Sequence, residues 1–293
     1  MIVHLVDGTY ELFRHFYGAR RASKGEDRPF AAVRGVLNAV LEMIENGATH
    51  LGVATDHVIE SFRNRLWHGY KTGAGIDPAL WAQFQPLEEG LAAMGIVVWP
   101  MVELEADDAL ASAAFLARAN AAVEKVCIWT PDKDLAQCVD GGRVVQVDRR
   151  GGAIRDAAGV EAKFGVPPES IPDYLALVGD AADGYPGIEG FGAKSAAAVI
   201  RRFGHIEAIA DDHAEWHAGV RNEFTLARAL RENRELALLF KTLATLRTDA
   251  ELFDSVEQLR WQGPASSFAS FAERIEAPGL VERSRRALEK LSA

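Results

Sequence analysis

The chain is 293 residues long, 48% hydrophobic and 25% charged, with a formal net charge of −10 at pH 7. This length holds one large domain or two smaller ones with separate cores, and the composition is that of an ordinary globular protein. No apolar run approaches the ~18 residues of a bilayer span and no basic leader precedes the first apolar run, so we expect no membrane association and a cytoplasmic location.

From residue 1 to about 165, apolar runs alternate with helical stretches. Residues 2–6 are a predicted buried strand, followed by a helix over about 31–46, a strand over 51–55 and a helix over 86–94. A strand over 96–99, a helix over 106–120 and a strand over 126–130 complete the series. Such alternation predicts right-handed crossovers and a mostly parallel sheet. A hairpin should follow, with 143–147 and 152–155 flanking an Arg149-Arg150-Gly151-Gly152 turn. Beyond Pro167 and Pro168 the pattern turns to helices joined by Gly-rich turns, which places a domain boundary there. The C-terminal apolar stretches at 259–261 and 268–271, with the basic helix after them, should pack back on the first domain. Cys127 and Cys138 make no CxxC pair and read as reduced structural thiols.

Nine carboxylates fall in five clusters. Asp7 and Asp56 follow the first two strands, and Asp132 and Asp134 follow the strand at 126–130. Those are the strand ends at which open α/β sheets keep their sites. Glu105, Asp107 and Asp108 open a helix, and Asp180 and Asp183 lie in a later loop. One acid at a helix start would be explained by the helix dipole, but three in four residues exceed that need. Asp132-Lys133-Asp134 could be a capped turn, and Asp56 alone decides nothing. Converging carboxylates push one another's pKa up, and divalent metal is the economical neutraliser. An oxygen-only set without His or Cys selects Mg²⁺ or Mn²⁺ over zinc. Bound metal would also reverse the local field, so the acidic balance argues only weakly against a polyanionic partner.

The run from Gly179 to Ala197 contains Gly190-Phe191-Gly192-Ala193-Lys194-Ser195. Gly190 and Gly192 suit a tight hairpin with available backbone N–H groups, and a helix starting near Ala193 adds a positive dipole end. Such a hairpin fits a phosphate backbone and reads no bases. A generic helix–helix turn is the alternative.

Five segments, in order, resemble the 5′-nuclease family that includes flap endonucleases and the 5′-to-3′ exonuclease domain of bacterial DNA polymerase I. They are Leu5-Val6-Asp7-Gly8 with Leu12-Phe13-Arg14; Asp56 with Phe62-Arg63 and Tyr70-Lys71; Glu105-Ala106-Asp107-Asp108; Asp132-Lys133-Asp134-Leu135; and the 179–197 run. The resemblance implies an α/β, PIN-like catalytic domain with a mostly parallel central sheet over 1–166. A helical, helix-three-turn-helix domain containing a helix-hairpin-helix would follow over 167–293. The chain ends near residue 293, which leads us to expect a stand-alone member.

The implied activity is metal-dependent hydrolysis near the 5′ end of nicked, gapped or flapped DNA in replication and repair, by two Mg²⁺ or Mn²⁺ ions about 4 Å apart. By resemblance Glu105, Asp107, Asp108, Asp132 and Asp134 would hold the hydrolytic metal, with Asp7, Asp56, Asp180 and Asp183 completing the cluster. Lys71 would reach the scissile phosphate, Arg63 and Arg14 would contact phosphates, and Tyr70 would stack on an unpaired base. A K⁺ ion would bridge the carbonyls of Leu177, Val178, Pro186, Ile188 and Phe191 to a duplex phosphate, with Gly190, Gly192, Lys194 and Ser195 alongside. Residues 72–85 would form an arch over single-stranded DNA, mobile until substrate binds. The sequence departs from the family pattern at Ala74, where an Arg is usual, and at Ala182 and Gly184, where Ser and Asn are common. We expect a monomer able to act on RNA–DNA hybrids. The alternatives are a catalytically weak binder of branched DNA and a PIN-type ribonuclease on structured RNA.

Overall fold

The computed structural model describes residues 1–22, 28–149 and 151–292; Arg150 of the predicted hairpin turn lies outside them. The chain runs β1 (Ile2–Asp7), α1 (Gly8–Ala22), α2 (Ala31–Glu45), β2 (His50–Asp56), α3 (Arg63–Leu66) and α4 (Pro78–Trp81). Next come α5 (Phe84–Ala93), β3 (Val97–Met101), α6 (Ala106–Ala119), β4 (Lys125–Trp129), β5 (Val144–Asp148) and β6 (Ala153–Arg155). The helices α7 (Ala157–Phe164), α8 (Ile171–Val178), α9 (Ala193–Phe203), α10 (Glu223–Glu232), α11 (Arg234–Ala244), α12 (Phe268–Arg274) and α13 (Gly279–Ser292) complete it. These elements form two compact units that alternate along the sequence. One comprises Met1–Ile59, Gly73–Thr130 and Thr248–Ala293, the other Glu60–Thr72 and Pro131–Arg247.

In the first unit the strands lie in the order β3-β2-β1-β4, every pairing parallel, with Val6 opposite Val53 and Leu5 opposite Ile128. The inner strands β1, β2 and β4 are mostly buried and so read as largely apolar runs, which makes their positions legible, whereas the edge strand β3 is half-buried with Pro100 exposed. Helix α6 packs across all four strands, and α1 and α5 pack on β2 and β3. Helix α1 was not predicted; Arg14, Arg20 and Arg21 dilute its apolar period, and only Gly8, Glu11, Leu12 and Phe16 of it are buried. The turn from β1 into α1 demands glycine, because a Cβ on Gly8 would sit 2.9 Å from the Ala54 carbonyl and 2.8 Å from the Thr55 methyl. Helix α13 packs on α2 and α12 on α5, adding Phe268, Phe271 and Ile275 to the core around Leu37, Leu41 and Leu91.

The segment expected to be a mobile arch is tied down over much of its length. Asp77 caps α4 through the Ala79 N–H at 2.9 Å and pairs with Arg20 at 2.6 Å. Leu80 is fully buried, and the Gln83 side-chain carbonyl accepts the Ala32 and Val33 N–H groups at 3.0 and 3.3 Å. An amide that satisfies the first turn of α2 costs the helix two hydrogen bonds if it leaves.

The second unit contains the antiparallel β5–β6 hairpin and the helices α7 to α11, with Tyr185, Trp216, Phe240 and Leu177 in its core. Helix α8 packs on α9 and α11. Asp173, fully buried in the first turn of α8, accepts the Ile206 N–H at 2.8 Å and pairs with His205 at 2.9 Å and Lys241 at 2.8 Å. This carboxylate has every partner that burial requires.

Candidate metal centre and nucleic-acid interface

Five of the nine predicted carboxylates lie in the first unit, at the C-terminal ends of β1 and β2 and the start of α6. Asp7 is the last residue of β1; its carboxylate accepts the Tyr10 N–H at 2.8 Å and the Thr130 hydroxyl at 3.0 Å. Asp56 ends β2; its N–H donates to the Thr9 hydroxyl at 2.8 Å and its Oδ1 accepts the Ala106 N–H at 2.8 Å. The start of α6 is thus held against Asp56, where the helix dipole favours negative charge. Asp108, fully buried, uses Oδ2 to accept the Glu105 N–H at 2.9 Å. Glu105 is also buried, while Asp107 is partly exposed. Thr9 and Thr130 orient these acids and went unnoticed in the sequence, where a lone threonine after a strand carries no signal.

The second unit brings Asp134, Asp180 and Asp183 together, each offering an oxygen within 4.8 Å of the others'. All three are buried. Asp180 forms an ion pair with Lys133, and Asp183 one with Lys71 at 3.0 Å. Asp134 Oδ1 is buried without a hydrogen-bond partner among the described residues. Burial, then the charges of Asp132 and Asp183, push the Asp134 carboxyl well above the usual carboxylate range. Burial opposes the charged form of Lys133, but its hydrogen bond to Asp180 and the surrounding carboxylates outweigh this and raise its pKa. Asp132 stands outside the three-carboxylate group; it is exposed, its Oδ1 accepts the Asp134 N–H at 2.9 Å and its carbonyl accepts Gln146 Nε2 at 2.6 Å. An oxygen-only cluster with one unsatisfied buried oxygen suits a hard divalent cation.

Residues 67–71 are stitched to the loop that carries Asp183. Lys71 N–H donates to the Asp183 carbonyl at 3.0 Å and Trp67 Nε1 donates to the Gly184 carbonyl at 3.0 Å. Glycine at 184 is required twice over: its φ is +84°, and a Cβ would approach the Gly69 carbonyl to 1.9 Å. The departure from Asn at this position therefore accompanies a close crossing of two loops.

Two sequence expectations are corrected. Arg63 is 1% exposed; its Nε donates to the Leu243 carbonyl at 2.8 Å, an Nη to the Thr245 carbonyl at 3.2 Å, and its guanidinium lies over Phe62. It satisfies carbonyls at the end of α11, and a guanidinium so buried is not presented to a phosphate. Tyr70 is 3% exposed within the second unit's core, so its ring is not available for stacking on a base. Arg14 is half-buried, and its fork is engaged by the buried Glu11 at 2.6 and 3.1 Å. Burial disfavours its charge, but the Glu11 hydrogen bond prevails and raises its pKa.

At the hairpin, Gly190 takes φ +90°, whereas Gly192 is at −124°, a conformation open to any residue, and nothing lies within 4 Å of where its Cβ would be. Ser195 Oγ accepts the Gly192 N–H at 3.0 Å and donates to the Gly192 carbonyl at 3.1 Å, closing the start of α9. A cleft of about 880 Å³ runs here, lined by Gly190, Gly192, Lys194, Arg221, Asn222 and Thr225 among others. Of the carbonyls expected to hold K⁺, that of Leu177 accepts the Ile188 N–H at 2.9 Å and that of Ile188 accepts the Phe191 N–H at 3.1 Å. Those of Val178, Pro186 and Phe191 belong to the same stretch of backbone.

Comparison with known proteins agrees with this architecture. Residues 2–165 match the model for the 5′-3′ exonuclease N-terminal resolvase-like domain, and residues 166–267 that for the 5′-3′ exonuclease C-terminal SAM fold. DNA polymerase I of Pseudomonas aeruginosa is 36% identical over 262 residues, 87% of this chain but only 28% of that protein. A 5′-3′ exonuclease of Aquifex aeolicus is 32% identical over 265 residues, 89% of this chain and 87% of that one. The structure of T5 5′-exonuclease with bound divalent metal ions superposes over all of both chains with a TM-score of 0.66 at 16% identity. The catalytic core of Rad2 in complex with DNA substrate does so over 98% of this chain and 91% of that one, with a TM-score of 0.64 at 15% identity. The α/β unit and the helical unit correspond to the resolvase-like and SAM-fold domains of one family, and the helical unit holds a buried carboxylate cluster. The chain belongs to the 5′-3′ exonuclease family.

Proposed function

We propose that this protein is a structure-specific 5′ nuclease that hydrolyses phosphodiester bonds near the 5′ end of nicked, gapped or flapped DNA, in replication and repair. The observation that carries the reading is the buried Asp134–Asp180–Asp183 cluster with its unsatisfied Asp134 Oδ1, in a chain whose family models span residues 2–267. Bound at these oxygens, Mg²⁺ or Mn²⁺ would supply charge stabilisation for phosphodiester hydrolysis. Asp134, Asp180 and Asp183 would hold metal, and Asp7, Asp56, Glu105, Asp107, Asp108 and Asp132 supply the remaining carboxylates that the resemblance implies. Lys71 releases Asp183 to meet the scissile phosphate as a mobile point charge. The cleft beside Gly190, Gly192 and Lys194 takes the duplex backbone, helped by K⁺ at the hairpin carbonyls. Cleavage of RNA–DNA hybrids, a monomeric state and a cytoplasmic location belong to the same reading.

The test is one panel: labelled 5′-flap, nicked, single-stranded and hybrid substrates and a structured RNA, each with Mg²⁺, with Mn²⁺ and with EDTA. Metal-dependent cleavage of the flap and nicked DNA is the expected result. Binding of branched DNA with no cleavage in either metal overturns it in favour of a binding protein, and preferential cleavage of structured RNA overturns it in favour of a ribonuclease.

A further inference from the structure

Resting on that metal-dependent reading, we propose that Glu88 is a positioning residue for the metal centre: its carboxylate clamps both chain neighbours of Asp56 and so aims that acid at the cation. Glu88 lies in the second turn of α5, with its side chain 12% exposed. Its Oε1 accepts the Thr55 hydroxyl at 2.8 Å, and its Oε2 accepts His57 Nδ1–H at 2.9 Å. An ionised carboxylate only accepts, so the neutral ring of His57 carries its proton on Nδ1. A single side chain thus brackets Asp56, one oxygen on each neighbour.

Successive side chains of a strand point to opposite faces, so Thr55 and His57 turn one way and Asp56 the other. The hydrogen bonds agree: Asp56 Oδ1 takes the Ala106 N–H of α6 at 2.8 Å, while its two neighbours meet α5. The ladder from β1 reaches only Ala54 and that from β3 only Asp56, so backbone pairing thins out where the acid has to be aimed. Glu88 supplies the missing constraint. Thr55 is buried with its methyl against Gly8, in the turn that also carries Asp7 and Thr9, and Thr9 accepts the Asp56 N–H at 2.8 Å. Turning the Thr55 hydroxyl away from Glu88 would swing that methyl, so the clamp also sets the fit between β2 and this turn. Packing does not call for an acid at 88, because Phe84, Leu87 and Leu91 already bury α5. Partners that fix a ligating carboxylate from outside tune metal affinity without touching the metal.

In calorimetric titration of Mn²⁺ into the metal-free protein, Asp56→Asn marks the binding step to which Asp56 contributes. Glu88→Leu should weaken that step about tenfold, and Thr55→Val should weaken it in the same direction. Glu88→Gln, whose amide can accept from Thr55 and donate to His57, should bind Mn²⁺ as wild type does. Leu91→Ala loosens α5 without touching the clamp, so it should lower the melting temperature and leave Mn²⁺ affinity unchanged. Unchanged affinity in Glu88→Leu, or in Thr55→Val where Glu88→Leu does not fold, overturns the proposal. A loss in Glu88→Gln or Leu91→Ala as large as that in Glu88→Leu overturns it too, as does Mn²⁺ binding that Asp56→Asn leaves intact. The primary readout is metal binding, so a wild-type protein that binds Mn²⁺ but cuts no nucleic acid defeats the nuclease reading and leaves this one standing.

Discussion

Two buried carboxylates in the helical unit make an instructive pair. Asp173 is fully buried, yet a backbone N–H, His205 and Lys241 surround it, and Lys241 is itself braced by Glu207 at 2.7 Å. Asp134 is almost as buried, yet one oxygen has no partner and its neighbours include Asp132, Asp180 and Asp183. The first arrangement is a structural knot that holds α8, α11 and the turn between them. The second is costly unless a cation arrives. Burial of an acid therefore does not mark function here; failure of the protein to supply its counter-charge does.

The largest test of that contrast is Asp134→Asn. On the proposed function, in which Asp134 holds the metal, this substitution should remove several kcal/mol of transition-state stabilisation, lowering cleavage about a hundredfold or more. The same variant should melt higher than wild type in EDTA, because the repulsion goes and the shape stays. A lower melting temperature for the metal-free variant would break the comparison. Asp173→Ala should behave in the opposite way. Leaving the buried Ile206 N–H without its acceptor, and His205 and Lys241 without the carboxylate they share, should cost about 3 kcal/mol in urea unfolding, with cleavage by the folded protein retained.

Next in size is Lys71→Ala, which should lower kcat/KM on a flap substrate by about 2 kcal/mol, measured at saturating metal. Near-wild-type turnover would show that the Lys71–Asp183 pair belongs with the structural knots after all. A smaller effect follows from pH. The folded pKa of Asp134 lies above its unfolded value of about 3.9, so its contribution to stability is full below that value and is lost as pH rises through the folded pKa. In EDTA, the excess melting temperature of Asp134→Asn over wild type should accordingly be larger at pH 8 than at pH 5. A gap that does not vary between those pH values would mean that the metal-free Asp134 carboxyl does not change its protonation state across that window. The smallest expected effect is at the hairpin: duplex affinity should be modestly higher in K⁺ than in Li⁺ at equal ionic strength, and equal binding would argue against a cation among the 177–191 carbonyls.

Much of this was legible before folding, but unevenly. The strands at 2–6, 51–55, 96–99 and 126–130 correspond to β1 to β4 within a residue or two: the inner strands β1, β2 and β4 are mostly buried and so mostly apolar, and the edge strand β3 keeps an apolar run although Pro100 is exposed. Helix α1 escaped because three arginines blur its face. Arg63 and Tyr70 lie in motif segments that signal nucleic-acid contact, yet the fold spends them inside: one on carbonyls about 180 residues away in sequence, the other in a core. No local pattern announces such a destination.

By itself, the sequence determined where strands end, where helices begin and which short segments carry clustered acids, because those depend on neighbours a few positions apart. Tertiary structure alone decided which acids are satisfied. Asp180 and Asp183 acquire lysine partners from distant segments, while Asp134 and Tyr185 are closed into the same interior with an oxygen each left over. Desolvation and Coulomb repulsion act through space, so the state of a carboxylate is fixed only once the chain has brought its neighbours and excluded its water.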